Sequence, residues 1–82
     1  MNAASTLTVM IVDDETLARV RLRDLLADIA AEVPNEVIAE AANGQLAVEA
    51  LKEHFPDVML LDIRMPKMDG IELARHVSRL EK

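Results

Sequence analysis

Apolar residues follow two rhythms along this chain. Leu7-Thr8-Val9-Met10-Ile11-Val12 and Val58-Met59-Leu60-Leu61 are short, nearly unbroken apolar runs. The second reads as a strand buried on both faces. Elsewhere the apolar positions recur at helical spacing. Ala18, Leu22, Leu25, Leu26 and Ile29 fall at i, i+4, i+7, i+8 and i+11, one face of a 3.6-residue period. They predict a helix from Glu15 or Thr16 to about Ala31, stopped by Pro34 and Asn35. Glu15 and Arg19 stand four apart in the order that favours a helix pair. Glu36 to Ala42 reads as a second strand, with Val37, Ala39 and Ala41 on one side and Glu36, Ile38, Glu40 and Ala42 on the other. That half-polar alternation suits a sheet edge. Asn43-Gly44 punctuates, and Leu46, Ala47, Ala50, Leu51 and Phe55 predict a short helix ended at Phe55 by Pro56. A last helix starts near Ile71, with Leu73, Ala74, Val77 and Leu80 on one stripe.

The predicted order is β-α-β-α-β-α. Alternating elements with short connections imply right-handed crossovers and a parallel sheet covered on both faces. Eighty-two residues make at most one small domain, which buries only roughly 60–65% of the surface its unfolded chain exposes. Phe55 is the sole aromatic, so the core must come from Leu, Ile, Val, Ala and Met. The absence of cysteine removes disulfides, thiolate chemistry and Cys-type zinc sites, and suits a reducing cytoplasm. No apolar stretch reaches the length of a signal peptide core or a membrane span. A net charge of −6 argues against non-specific nucleic-acid binding. Arg19, Arg21 and Arg23 cluster, but the acids around them predict a solvated helix face of mixed charge.

The candidate chemistry lies where the apolar runs end. The first runs into Asp13-Asp14-Glu15 and the second into Asp62. A strand ending on an acid places that acid at the carboxyl edge of the sheet, where open α/β sheets bind ligands. If the two strands are parallel neighbours, three carboxylates converge. Such a cluster suits a hard divalent cation, since Mg²⁺ takes oxygen ligands, uses one or two carboxylates and keeps several waters. A carboxylate beside it can also attack phosphorus to give an acyl phosphate. The plainer expectation for Asp13-Asp14-Glu15 alone is that these acids cap the first helix and complement its dipole. A calcium loop over Asp62 to Asp69 is disfavoured by Arg64 and Pro66 where oxygen ligands are needed, and an Asp-x-Asp phosphatase by Arg64 in the second acid's place. His54 and His76 have no partner at ligand spacing and read as surface or boundary histidines.

Val12-Asp13-Asp14-Glu15, Asn43-Gly44-Gln45-Leu46-Ala47, Pro56-Asp57, and Leu61-Asp62-Ile63-Arg64-Met65-Pro66 with Met68-Asp69-Gly70 together resemble the response-regulator receiver domain of two-component signalling. The run from Val12 to Leu22 is most similar to receivers attached to LytTR-type DNA-binding domains. The resemblance implies a flavodoxin-like doubly wound fold, here cut to β-α-β-α-β-α with strand order 2-1-3. It implies Asp62 as the phosphoacceptor and Asp14 as a direct Mg²⁺ ligand alongside Asp62. Asp13 then acts through a bound water, and the backbone carbonyl of Arg64 supplies a further oxygen. It implies a sensor histidine kinase as partner and transcriptional control through a separate output domain that alone meets DNA. The protein on this reading is cytoplasmic, free of membrane contact and not an enzyme.

The same resemblance marks residues 1–82 as part of a receiver. The last two strands and two helices of the family, with their switch Ser or Thr and their Lys, have no counterpart in the chain. A chain of this extent is expected to leave its third strand as a bare edge and to form a homodimer or a strand-edge association. The competing expectation is a phosphorylation-silent receiver that serves only in metal binding or dimerisation.

Overall fold

The structure is a computed structural model that describes residues 6–62 and 70–81. Three parallel strands, β1 (Leu7–Val12), β2 (Asn35–Ala41) and β3 (Val58–Leu61), lie in the order β2-β1-β3. Helices α1 (Thr16–Asp28), α2 (Gly44–Leu51) and α3 (Gly70–Glu81) alternate with them. This is the flavodoxin-like arrangement and the 2-1-3 order that the family resemblance implies.

β1 is the spine of the sheet, with strands on both sides, and Val9 to Val12 are 0–2% exposed. Alternation along the strand splits these residues between two faces. Met10 and Val12 pack with Ala41, Ala47, Leu51 and Leu73 to form the core under α2 and α3. Val9 and Ile11 turn toward α1. The Asn43 side chain starts α2 by accepting from the Leu46 amide at 2.8 Å.

Several predicted details change. β3 was expected to be buried on both faces, but all four of its residues are half-buried, because it pairs with β1 alone among the described strands. α1 ends at Asp28, three residues early. The Ala30 amide reaches back three residues to Ala27 and the Val33 amide four to Ile29, so the chain leaves the helix through tightened turns. Pro34 keeps Val33 out of the helical region. The α1 stripe also divides. Ala18, Leu22 and Leu26 are half-buried, while Leu25 and Ile29 are exposed and no α1 residue is fully buried. α2 likewise stops at Leu51 rather than Phe55, and Phe55 lies exposed outside the core.

β2 carries the largest correction. Val9 pairs with Val37 but Met10 pairs with Ala39, so the register shifts and Ile38 is the extra residue. A bulge of this kind reverses which face each later residue takes. Val37 therefore sits on the α1 side, Ala39 and Ala41 join the α2 core, and Glu40 faces α1. Val37, Ala39 and Ala41 do not share a side as strict alternation predicts.

At the opening end of β3, Asp57 and Thr8 hold each other. The Thr8 amide donates to Asp57 Oδ2 at 2.9 Å and the Thr8 hydroxyl donates to the same oxygen at 3.1 Å. The Asp57 amide donates in return to Thr8 Oγ1 and to the Thr8 carbonyl, both at 2.9 Å. Asp57→Ala removes the two bonds to the carboxylate and should cost about 1 kcal/mol after allowance for solvent at this exposed site. Urea melts of the variant check this; an unchanged midpoint would show that the clamp adds nothing.

Candidate functional site

β1 and β3 run parallel with Val12 opposite Leu61, so the residues that follow each strand emerge side by side at its carboxyl edge. Their backbones stay tied to the sheet for one further step. The Asp13 amide donates to the Ala41 carbonyl at 3.0 Å, and the Asp62 amide donates to the Val12 carbonyl at 2.9 Å. Asp13, Asp14 and Asp62 each offer a carboxylate oxygen, and these three oxygens all lie within 4.8 Å of one another. Asp13 and Asp62 are half-buried and Asp14 is exposed.

The acids do not cap α1. Glu15 is the residue before its first turn and makes no side-chain cap bond, and the first turn holds no acidic residue. Asp13 Oδ1 instead accepts from the Glu15 amide at 2.9 Å, folding the loop into an Asx turn. That bond closes the loop on itself and keeps the acids at the sheet edge.

Arg19 is the residue that sequence reasoning placed wrongly. Among the described residues its ionic partner is Glu40, not Glu15, and its side chain is only 17% exposed. Nη1 donates to the Asp13 carbonyl at 2.6 Å, Nη2 to Thr16 Oγ1 at 3.4 Å, and Nε lies 3.3 Å from Glu40 Oε1. Arg23 binds the other Glu40 oxygen. Arg19 and Arg23 therefore converge on one strand acid, while Arg21 and Arg23 keep to the solvated face of mixed charge. The i, i+4 spacing of the two arginines was the available signal. The bulge that turns Glu40 toward them was not.

The remaining predicted residues fall as follows. The Arg64 carbonyl, and most of the span from Asp62 to Asp69, lie outside the described residues. His54 is exposed, 3.9 Å from Glu53. His76 lines a groove with Gln45, Val48, Glu49 and Lys52, apart from the three acids. No helix among the described residues is long and apolar enough to cross a membrane.

The donor set suits a hard cation. It is all oxygen, with no sulfur or nitrogen, which favours Mg²⁺, Ca²⁺ or Mn²⁺ over softer metals. In octahedral Mg²⁺ the ligand oxygens stand about 3 Å apart when adjacent and about 4.2 Å apart when opposite. Oxygens that all lie within 4.8 Å of one another are close to the larger of those spacings. A cation among carboxylates this close offsets their mutual repulsion.

The family model of the response regulator receiver domain matches residues 9–82. A response regulatory protein of Vibrio cholerae, itself uncharacterized, is 49% identical over 77 residues, covering 94% of this chain and 29% of that protein. The chemotaxis protein CheY of Bacillus subtilis is 43% identical over 75 residues, covering 89% of the chain and 58% of CheY. Among solved structures, the signal receiver domain of a NarL response regulator from Mycobacterium tuberculosis superposes with a TM-score of 0.84 at 38% identity. That match covers 94% of this chain and 60% of that one. The chain thus spans less than two thirds of the length of each of these relatives.

Proposed function

The chain belongs to the response regulator receiver domain family, and from that membership we propose that it takes a phosphoryl group onto Asp62 from a histidine kinase. The observation that carries the proposal is the meeting of Asp13, Asp14 and Asp62 at the carboxyl edge of neighbouring parallel strands. An Asp62 carboxylate oxygen attacks the phosphorus of a phosphohistidine. The phosphorus–nitrogen bond breaks, its electron pair stays on the imidazole nitrogen, and a carboxyl–phosphate anhydride remains on Asp62. Asp14 and Asp62 would hold Mg²⁺ directly, Asp13 through a water, and the Arg64 carbonyl would complete the protein ligands. When bound, the metal supplies the positive charge that lets an anionic donor approach an anionic acceptor. The ladder bonds at Asp13 and Asp62 tie both backbones to the sheet edge.

The role is that of a signalling module. In the whole protein, two further strands and two helices would cover the edge of β3 that no described strand pairs with and the exposed Leu25 and Ile29 of α1. A second copy of the chain is the other occupant of those surfaces. Transcriptional control through a LytTR-type DNA-binding domain rests on the run from Val12 to Leu22. With this segment at −6, DNA contact falls to such an output domain.

Incubation of the full-length protein with acetyl phosphate and Mg²⁺ is the test. A mass gain of one phosphoryl group, removed by hydroxylamine as an acyl phosphate should be, is the expected result. No gain under any Mg²⁺ concentration would overturn the assignment and favour the silent, metal-binding or dimerising alternative.

A further inference from the structure

We infer that Arg19 is a positioning residue for the acidic site, holding the loop that carries Asp13 and Asp14 against β2. The inference rests on the metal-site reading above, and its test separates the failure of one from the failure of the other. One guanidinium joins three segments. It donates to the Asp13 carbonyl at the end of β1, to Thr16 at the start of α1, and pairs with Glu40 on β2. At 17% exposure it is far more buried than Arg23, whose side chain is 53% exposed and whose partner among the described residues is Glu40.

The bulge at Ile38 is an independent sign of the same device. Without the register shift, Glu40 would turn to the α2 face and Arg19 would lose its acidic partner. With it, Glu40 is shared by Arg19 and Arg23 and anchors the fork that grips the Asp13 carbonyl. Gripping that carbonyl fixes the peptide between Asp13 and Asp14, and with it the directions in which both carboxylates leave the backbone. A lysine cannot serve all three partners, because its single ammonium lacks the planar fork.

Geometry and charge make opposite predictions here. As a nearby positive charge alone, Arg19 would compete with a cation, and its removal would tighten Mg²⁺ binding. As a positioning group, its removal loosens the ligands and weakens binding. Three variants of the full-length protein, Arg19→Met, Arg19→Lys and Arg23→Met, decide the matter through two readouts. The first is amide hydrogen exchange in metal-free protein, followed at Glu15, whose N–H depends on the Asx turn at Asp13. The second is Mg²⁺ affinity by calorimetry.

Arg19→Met and Arg19→Lys should both speed exchange at Glu15, while the buried amides of Met10 and Ile11 keep their protection. Both should weaken Mg²⁺ by about tenfold, as loss of groups behind metal ligands commonly does. Arg23→Met should change neither. Unchanged Glu15 exchange, or tighter Mg²⁺ binding in Arg19→Met with Arg19→Lys like the parent, would overturn the inference. If the parent protein binds no Mg²⁺, the metal reading fails, and the Glu15 exchange still decides the role of Arg19.

Discussion

Asp62→Asn should abolish phosphoryl incorporation while leaving the fold intact. The amide has nearly the size of the carboxylate, and the backbone bond from residue 62 to the Val12 carbonyl does not involve the side chain. What is lost is the nucleophile, because an amide oxygen carries no full charge and the amide nitrogen's lone pair is delocalised. Metal-free Asp62→Asn should melt close to the parent, since the substitution keeps the side chain's size and leaves the backbone bond to Val12 untouched. Intact-protein mass spectrometry after acetyl phosphate treatment reads the first effect and a thermal melt the second. Phosphoryl label that survives the substitution would place the acceptor on another side chain. A collapsed melt would show that Asp62 is structural.

Asp14→Ala has the second-largest expected effect, on Mg²⁺ rather than on the nucleophile. Asp14 is exposed, so truncation should change stability by no more than about 0.5 kcal/mol. As a direct ligand it should nevertheless cost more than about 100-fold in Mg²⁺ affinity, beyond the loss typical of groups that only support a ligand. Asp57→Ala gives the opposite pattern, a lower melting midpoint with Mg²⁺ affinity unchanged. Asp57 and Asp62 are separated by the whole of β3, roughly 15 Å of extended chain. Equal losses of affinity in the two variants, measured by calorimetry, would mean that neither reports on the site.

The meeting of the acids was legible because it follows from local pattern, whereas the strand order came with the family resemblance. An apolar run that ends on an acid states where the strand stops and what stands at its edge. Asp13, Asp14 and Asp62 needed only the parallel pairing of β1 with β3 to come together. The features that escaped it depend on residues far apart in the chain. Thr8 and Asp57 are 49 positions apart, and nothing near either one announces the other. The bulge at Ile38 leaves no mark in the alternation of Glu36 to Ala42, yet it decides that Glu40 meets Arg19. The early ends of α1 and α2 reflect end turns that tighten well before the prolines and before the apolar stripe runs out. Exposure of Leu25 and Ile29 is likewise invisible to a periodicity that shows which residues share a face but not what covers it.

The Thr8–Asp57 clamp has a consequence for the lengths of chain this fold tolerates. It pins one end of β3 while the Asp62 amide, bonded to Val12, pins the other. Between them the count of residues is set, and an insertion or deletion within 58–61 would either break an anchor or swing the Asp62 carboxylate to the opposite face of the sheet. The turns at 29–33, which carry neither an anchor of β3 nor an acid of the site, can gain or lose residues without that penalty. Among related chains, differences in length should therefore collect between α1 and β2, and the spacing from Asp57 to Asp62 should hold constant.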